Sequence, residues 1–283
     1  MRFVIALLLL FSLSAPVMAD PISDRIYPAP RAPLTGEGLP AGVELVRVFT
    51  ADGLQLKGLA ATGRAGMPVL LVLHGNGFSA TDVARWFAPA LARGYGLVAA
   101  EYRGYSANPG RPSEAGLAKD ADAFLALARQ RAGGAPVWIV GHSLGGGVAL
   151  PLAVRSPPEV LVTIGTFTRL KDMVPSPVRL VVPDHYRNIA TASRLRRPWF
   201  LIHGLADAVV PATHARALQG EATRAGLTGA GFALSGQGHN PDGTLLADLL
   251  DRIRERPASG LPSTAGLPGS VKLIPFQRSH TRR

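Results

Sequence analysis

Short apolar runs recur along this chain with longer amphipathic stretches between them, and that alternation limits the fold more than any other feature. Val69–Leu73, Gly96–Ala100, Val137–Val140, Val160–Ile164, Phe200–Ile202 and Gly231–Leu234 are short and almost wholly apolar. Strands have this character when both faces of their sheet are covered. The intervening stretches predict helices over Thr81–Arg93, Pro112–Arg131, Leu144–Val154, Ala212–Ala225 and Gly243–Arg254. Ahead of them, Val43–Thr50 and Leu54–Ala60 flank Asp52-Gly53, a pair suited to a tight hairpin turn. An antiparallel opening pair followed by strand–helix units predicts one α/β domain over residues 43–255, with a mostly parallel sheet and helices on both faces.

The ends read differently. Arg2, the apolar run Phe3–Leu13 and Val17-Met18-Ala19 have the charge, length and small residues of a secretory signal covering residues 1–19. The run is too short to span a bilayer, so the chain is expected to be exported, to the periplasm or beyond, after cleavage near Ala19. Residues 20–42 are rich in Pro and Gly and predict an irregular lead-in. Residues 256–283 lack periodicity and predict a flexible basic tail; if it is only an accessory, deleting Pro257–Arg283 leaves activity nearly unchanged, whereas a large loss of rate means that it helps build the site.

The net charge of +11 comes from thirty basic residues, only four of them Lys, and seven lie from Arg252 onward. No folded basic module is visible, so a nucleic-acid partner is not expected. A solvated tail with weak contact to anionic envelope surfaces fits the distribution better. Cysteine is absent, which excludes disulfide frameworks, thiolate metal sites and thiol nucleophiles.

In open parallel sheets the functional groups lie in loops after the carboxyl ends of the strands. Those loops carry His74-Gly75-Asn76-Gly77, Glu101-Tyr102-Arg103-Gly104-Tyr105, Gly141-His142-Ser143-Leu144-Gly145, His203 to Asp207, and Gly238-His239-Asn240. Ser143 falls between an apolar strand and a helix, where a sharp glycine-flanked turn would expose its hydroxyl. A serine needs a neighbouring base, and His239 is the candidate in a loop free to reach it. Asp207 is the acid expected to orient His239; Asp242 and Asp184 are the rivals, and neither follows a strand at that edge. His74 is expected to support its glycine turn, His142 to point away from the site, and His185 and His214 to lie on the surface. Donors to a developing oxyanion are expected from the backbone N–H of Leu144 and that of Asn76, with Gly77 second to Asn76.

These segments together resemble the α/β-hydrolase superfamily, and within it the short-capped branch that includes serine aminopeptidases and monoglyceride lipases. HGNG at 74–77, YRGY at 102–105, RPSEAGL at 111–117, GHSLGG at 141–146, HGLADAVVP at 203–211 and GHN at 238–240 carry the resemblance. Two positions depart from it: Glu101 stands where Asp is usual, and Ser106 where Gly is usual. The resemblance implies a small cap over about residues 165–197 and no metal or organic cofactor. Phe167, Leu170, Met173, Val174 and Val178 could line an acyl pocket there or simply pack the core. Arg169 and Lys171 could meet an anionic group, though solvated surface explains them too. The expected activity is cleavage of a carboxylic ester or related acyl bond in a small-molecule substrate through an acyl-enzyme. An aminopeptidase or amidase, and a non-catalytic binding protein on the same fold, are the alternatives.

Overall fold

The computed structural model describes residues 26–174, 179–180, 182–256 and 260–276. The expected signal segment and Val178 therefore lie outside the described residues. The chain opens with a hairpin of β1 (Val43–Phe49) and β2 (Gln55–Ala61). Next come β3 (Val69–Leu73), α1 (Ala80–Trp86), α2 (Ala88–Ala92), β4 (Gly96–Ala99), α3 (Glu114–Ala132), β5 (Val137–His142), α4 (Leu144–Arg155) and β6 (Val160–Ile164). After a 3-10 turn at Leu170–Met173 follow α5 (Asn188–Ala192), β7 (Trp199–Gly204), α6 (Ala212–Arg224), β8 (Gly229–Leu234), α7 (Gly243–Glu255) and β9 (Val271–Pro275).

Nine strands form one sheet in the order β1-β2-β4-β3-β5-β6-β7-β8-β9. From β4 through β8 every neighbouring pair is parallel, while β1–β2, β2–β4 and β8–β9 are antiparallel. The apolar runs bury both faces. Along β3, Val69, Leu71 and Leu73 join a cluster with Phe124 of α3, Leu152 of α4 and Leu218 of α6. Leu70 and Val72 face the opposite cluster, with Val83 of α1 and Leu249 of α7. This period-two division is what holds helices on both sides of the sheet.

Three expectations change. The single helix over Thr81–Arg93 is two helices, because Pro89 lies in the first turn of α2 and cannot continue α1. The lead-in is irregular, yet its described part is anchored: Ile26, Tyr27 and Leu34 are buried, and Ser106 N–H donates to Pro30 at 2.7 Å. The tail is not flexible throughout. Val271–Pro275 pairs with β8 as the edge strand, and Phe276 is fully buried against Trp199, with ring centroids 5.4 Å apart. Its apolar residues, Val271, Leu273, Ile274 and Phe276, form too brief a pattern to stand out from a Pro- and Gly-rich surround.

Candidate active site

Strand β5 turns into α4 through Ser143, whose φ of 51° and ψ of −115° lie in a strained region for a non-glycine residue. Glycines make the turn possible by close approach. A Cβ on Gly145 would fall 1.9 Å from the Leu73 carbonyl oxygen, and one on Gly141 would fall 2.6 Å from the Gly145 oxygen. Ser143 N–H donates to Ile164 at 2.8 Å, and its hydroxyl does not cap α4. The side chain is left at the carboxyl edge of the sheet.

His239 follows β8 and donates from Nδ1 to Asp207 Oδ2 at 2.7 Å. Asp207 follows β7 and is buried, and its other oxygen accepts from the N–H groups of Val209 and Val210, both at 2.8 Å. Burial opposes ionisation of Asp207, but the bonds from His239, Val210 and Val209 outweigh it and hold the carboxyl below its ordinary range. With Nδ1 committed as donor, a neutral His239 ring presents Nε2 as a bare acceptor. The rival acids are occupied elsewhere: Asp242 caps α7 through Thr244 and Leu245 N–H, and Asp184 accepts from Tyr27.

Gly165, just after β6, borders this pair. A Cβ there would lie 3.1 Å from both Nδ1 and Cε1 of His239 and 3.4 Å from Asp207 Oδ2, and its φ is +57°. Gly75 plays the same part on the serine side, where a Cβ would lie 2.9 Å from Ser143 Cβ. The structure thus joins His239 to Asp207 directly and sets Ser143 at the same sheet edge. Ser143 and His239 are not hydrogen-bonded to each other.

Of the remaining candidates, Leu144 is the first residue of α4, so its N–H has no partner within the helix. Asn76 is fixed by its side chain, which donates to the Ile26 carbonyl at 2.5 Å and accepts from Tyr105 OH at 3.2 Å. Gly77 follows with φ +72°. His74 supports the loop as expected, with Nδ1 2.9 Å from the Gly75 carbonyl and Nε2 3.1 Å from Glu101. The two unusual residues are partners: Ser106 Oγ donates to Glu101 Oε2 at 3.1 Å, and the same oxygen accepts from Ala80 N–H at 2.8 Å.

Sequence reasoning missed the role of His142. Instead of pointing away, its fully buried ring lies 4.8 Å from His239, 5.0 Å from Trp86 and 5.3 Å from Phe78. His214 is half-buried rather than superficial and meets Thr168 Oγ1 at 2.9 Å. In the segment expected to form the cap, Phe167 and Leu170 are buried in the core cluster, and Met173 and Val174 are partly buried against that cluster.

A model of the family described as alpha/beta hydrolase fold matches residues 68–180. An uncharacterized protein of Mycobacterium tuberculosis (strain H37Rv) is 34% identical over 234 residues, covering 78% of this chain and 82% of that protein. Lysophosphatidylserine lipase ABHD12 of Danio rerio is 38% identical over 112 residues, covering 37% of this chain and 29% of its own length. Among solved structures, an alpha-beta hydrolase from Vibrio vulnificus superposes with a TM-score of 0.68 at 21% identity, covering 82% of this chain and 91% of that one.

Proposed function

This chain belongs to the α/β-hydrolase family, and on that premise we propose that it is a serine hydrolase that cleaves a carboxylic ester or related acyl bond through an acyl-enzyme. The observation that carries the reading is the 2.7 Å bond from His239 Nδ1 to a buried Asp207, beside a serine on a strained turn. His239 Nε2 takes the Ser143 proton as Oγ attacks the acyl carbon, and Asp207 stabilises the imidazolium that forms. The N–H groups of Leu144 and Asn76, or of Gly77 in place of Asn76, receive the negative charge on the carbonyl oxygen. His239 then protonates the leaving alcohol, and water repeats the sequence to release the acid. The lipase name of the Danio rerio relative supports an ester as the bond attacked. Export before action, with the basic tail meeting anionic envelope surfaces, remains part of this reading on the strength of residues 1–19 and the tail's charge.

An aminopeptidase reading requires a carboxylate free to hold an α-ammonium. Glu114 and Asp184 line a cavity of about 330 Å³ beside α4, but Glu114 accepts from His185 and Tyr186 N–H, and Asp184 from Tyr27 and Glu114. That favours the ester.

Fluorophosphonate labelling of the mature protein tests the proposal without requiring the natural substrate. Wild type should label, and Ser143→Ala and His239→Ala should not. Asp207→Asn keeps the oxygen facing Val209 and Val210 but loses the orienting charge, so turnover of an ester should fall about a thousand-fold or more. Failure of folded wild type to label would overturn the assignment.

A further inference from the structure

Positive charge is concentrated in the cap. Residues 165–197 hold seven Arg or Lys side chains against two acids, Asp172 and Asp184. Both acids are engaged within the protein. Asp184 accepts from Tyr27 OH at 2.5 Å and Glu114 N–H at 3.0 Å, and Asp172 is held by Arg169 through two bonds of 2.9 Å. A cavity of about 400 Å³ opens among Arg169, Lys171, His185, Arg187, Ile189 and Ala190. Lys171 and Arg187 make no ion pair among the described residues, so two cations without a salt-bridge partner and an imidazole line one concavity.

The walls of this cavity are fixed. Glu114 accepts from the N–H groups of His185 at 2.7 Å and Tyr186 at 3.1 Å, while the Tyr186 ring is buried and its hydroxyl meets Tyr27 OH at 2.8 Å. His185 and Arg187 therefore flank a buried anchor. On the facing segment, Leu170 N–H donates to the His185 carbonyl and Ile189 N–H to that of Thr168, each at 3.1 Å. Like charges held together in this way repel one another, and an anion between them removes the repulsion. The cavity is joined to the candidate site by a short stretch of chain: a Cβ on Gly165 would lie 3.1 Å from His239, and the four residues from Gly165 to Arg169, which lines the cavity, span at most about 14 Å.

We propose that the cap cavity lined by Lys171, His185 and Arg187 is an anion subsite that takes the phosphate group of a phosphate-bearing acyl ester while its acyl bond lies at Ser143. The inference rests on the hydrolase reading above and adds the substrate's second group. Phosphate suits the site because its several oxygens can meet the guanidinium, the ammonium and the imidazole at once, which a carboxylate does less fully.

Two measurements on the full chain test it, with Lys171→Gln/Arg187→Gln as the variant. Calorimetric titration with glycerol 3-phosphate, and separately with inorganic phosphate, reads the subsite without turnover. Wild type should bind glycerol 3-phosphate more tightly than inorganic phosphate, and the double variant should lose about ten-fold in affinity. Equal binding of the two probes, or binding that the variant retains, overturns the proposal. The second measurement is the ratio of kcat/KM for a monoacylglycerol phosphate over that for the matching monoacylglycerol. It should fall about ten-fold in the variant, and an unchanged ratio overturns the proposal. Wild type that hydrolyses neither ester counts against the hydrolase reading, while the titration still decides the subsite.

Discussion

His142 donates from Nε2 to the backbone carbonyl of His239 at 3.3 Å, and the two rings lie 4.8 Å apart. A carbonyl only accepts, so the proton sits on Nε2, and Nδ1 is left buried without a partner. Burial, and after it the neighbouring His239, pushes the His142 pKa down to about 3, so the ring is neutral whenever the protein is folded at ordinary pH. The residue before the candidate nucleophile thus pins the loop that carries the candidate base.

Replacing it by Phe, which keeps the ring but removes the donor, should lower kcat on an acyl ester about ten-fold with little change in KM. The stability effect has a definite sign. His142 ordinarily titrates near 6.5 in an open chain, so the unfolded state binds the extra proton below that pH and the folded state does not until about 3. Wild type should therefore lose stability as pH falls from about 6.5 towards 3, and His142→Phe should lose less. Urea midpoints at pH 7 and pH 4 check this; equal losses in both proteins would refute it.

Gly165→Ala is expected to damage catalysis while sparing the fold. The new Cβ would sit 3.1 Å from two atoms of His239, tighter than most carbon contacts, and the backbone there has φ +57°. A small displacement of His239 can cost about a hundred-fold in rate, whereas the backbone strain costs on the order of 1–2 kcal/mol. Thermal unfolding and kcat measured together separate the two. Full activity would show that His239 yields freely.

The pairing of Glu101 with Ser106 accounts for two residues that look like independent drift in the sequence. Ser106 sits at φ +47°, a conformation glycine adopts without strain, and recovers part of that cost by its bond to Glu101. Ser106→Gly should then change stability by less than about 1 kcal/mol, strain relief offsetting one lost hydrogen bond. Glu101→Ala should cost about 3 kcal/mol or more, because it strips partners from His74, Ala80 N–H and Ser106 inside the core. Chemical denaturation decides, and a severe loss from Ser106→Gly would contradict this account.

The parallel strands were legible because each is buried on both faces and reads as an unbroken apolar run; Val69–Leu73 carries its two clusters in five consecutive letters. The pairing of Asp207 with His239 was legible for a related reason, since the loop following a buried strand has only one edge of the sheet to occupy. What escaped was set by contacts between distant segments. Nothing local to His142 announces that the carbonyl of His239 will lie beside it, ninety-seven positions on. Nor does Gly165 reveal that its missing side chain makes room for an imidazole.

The edge strand β9 was illegible for a different reason: an edge strand is covered on fewer sides, so it needs neither length nor a continuous apolar run. Its consequences are large. Phe276 is wholly buried, and Ser235 N–H, between β8 and the His239 loop, donates to Ser270 at 2.9 Å. Phe276→Ala should cost about 3 kcal/mol from lost contact with Trp199 and the cavity left behind. Truncation after Arg256 should cost more, because it also unpairs β8 over Ala230–Leu234 and exposes that edge. With β8 frayed next to the loop bearing His239, hydrolysis at a fixed temperature should fall together with the midpoint of unfolding. If the truncated chain instead keeps both its melting temperature and its rate, β9 is only an appendage on a sheet that ends at β8.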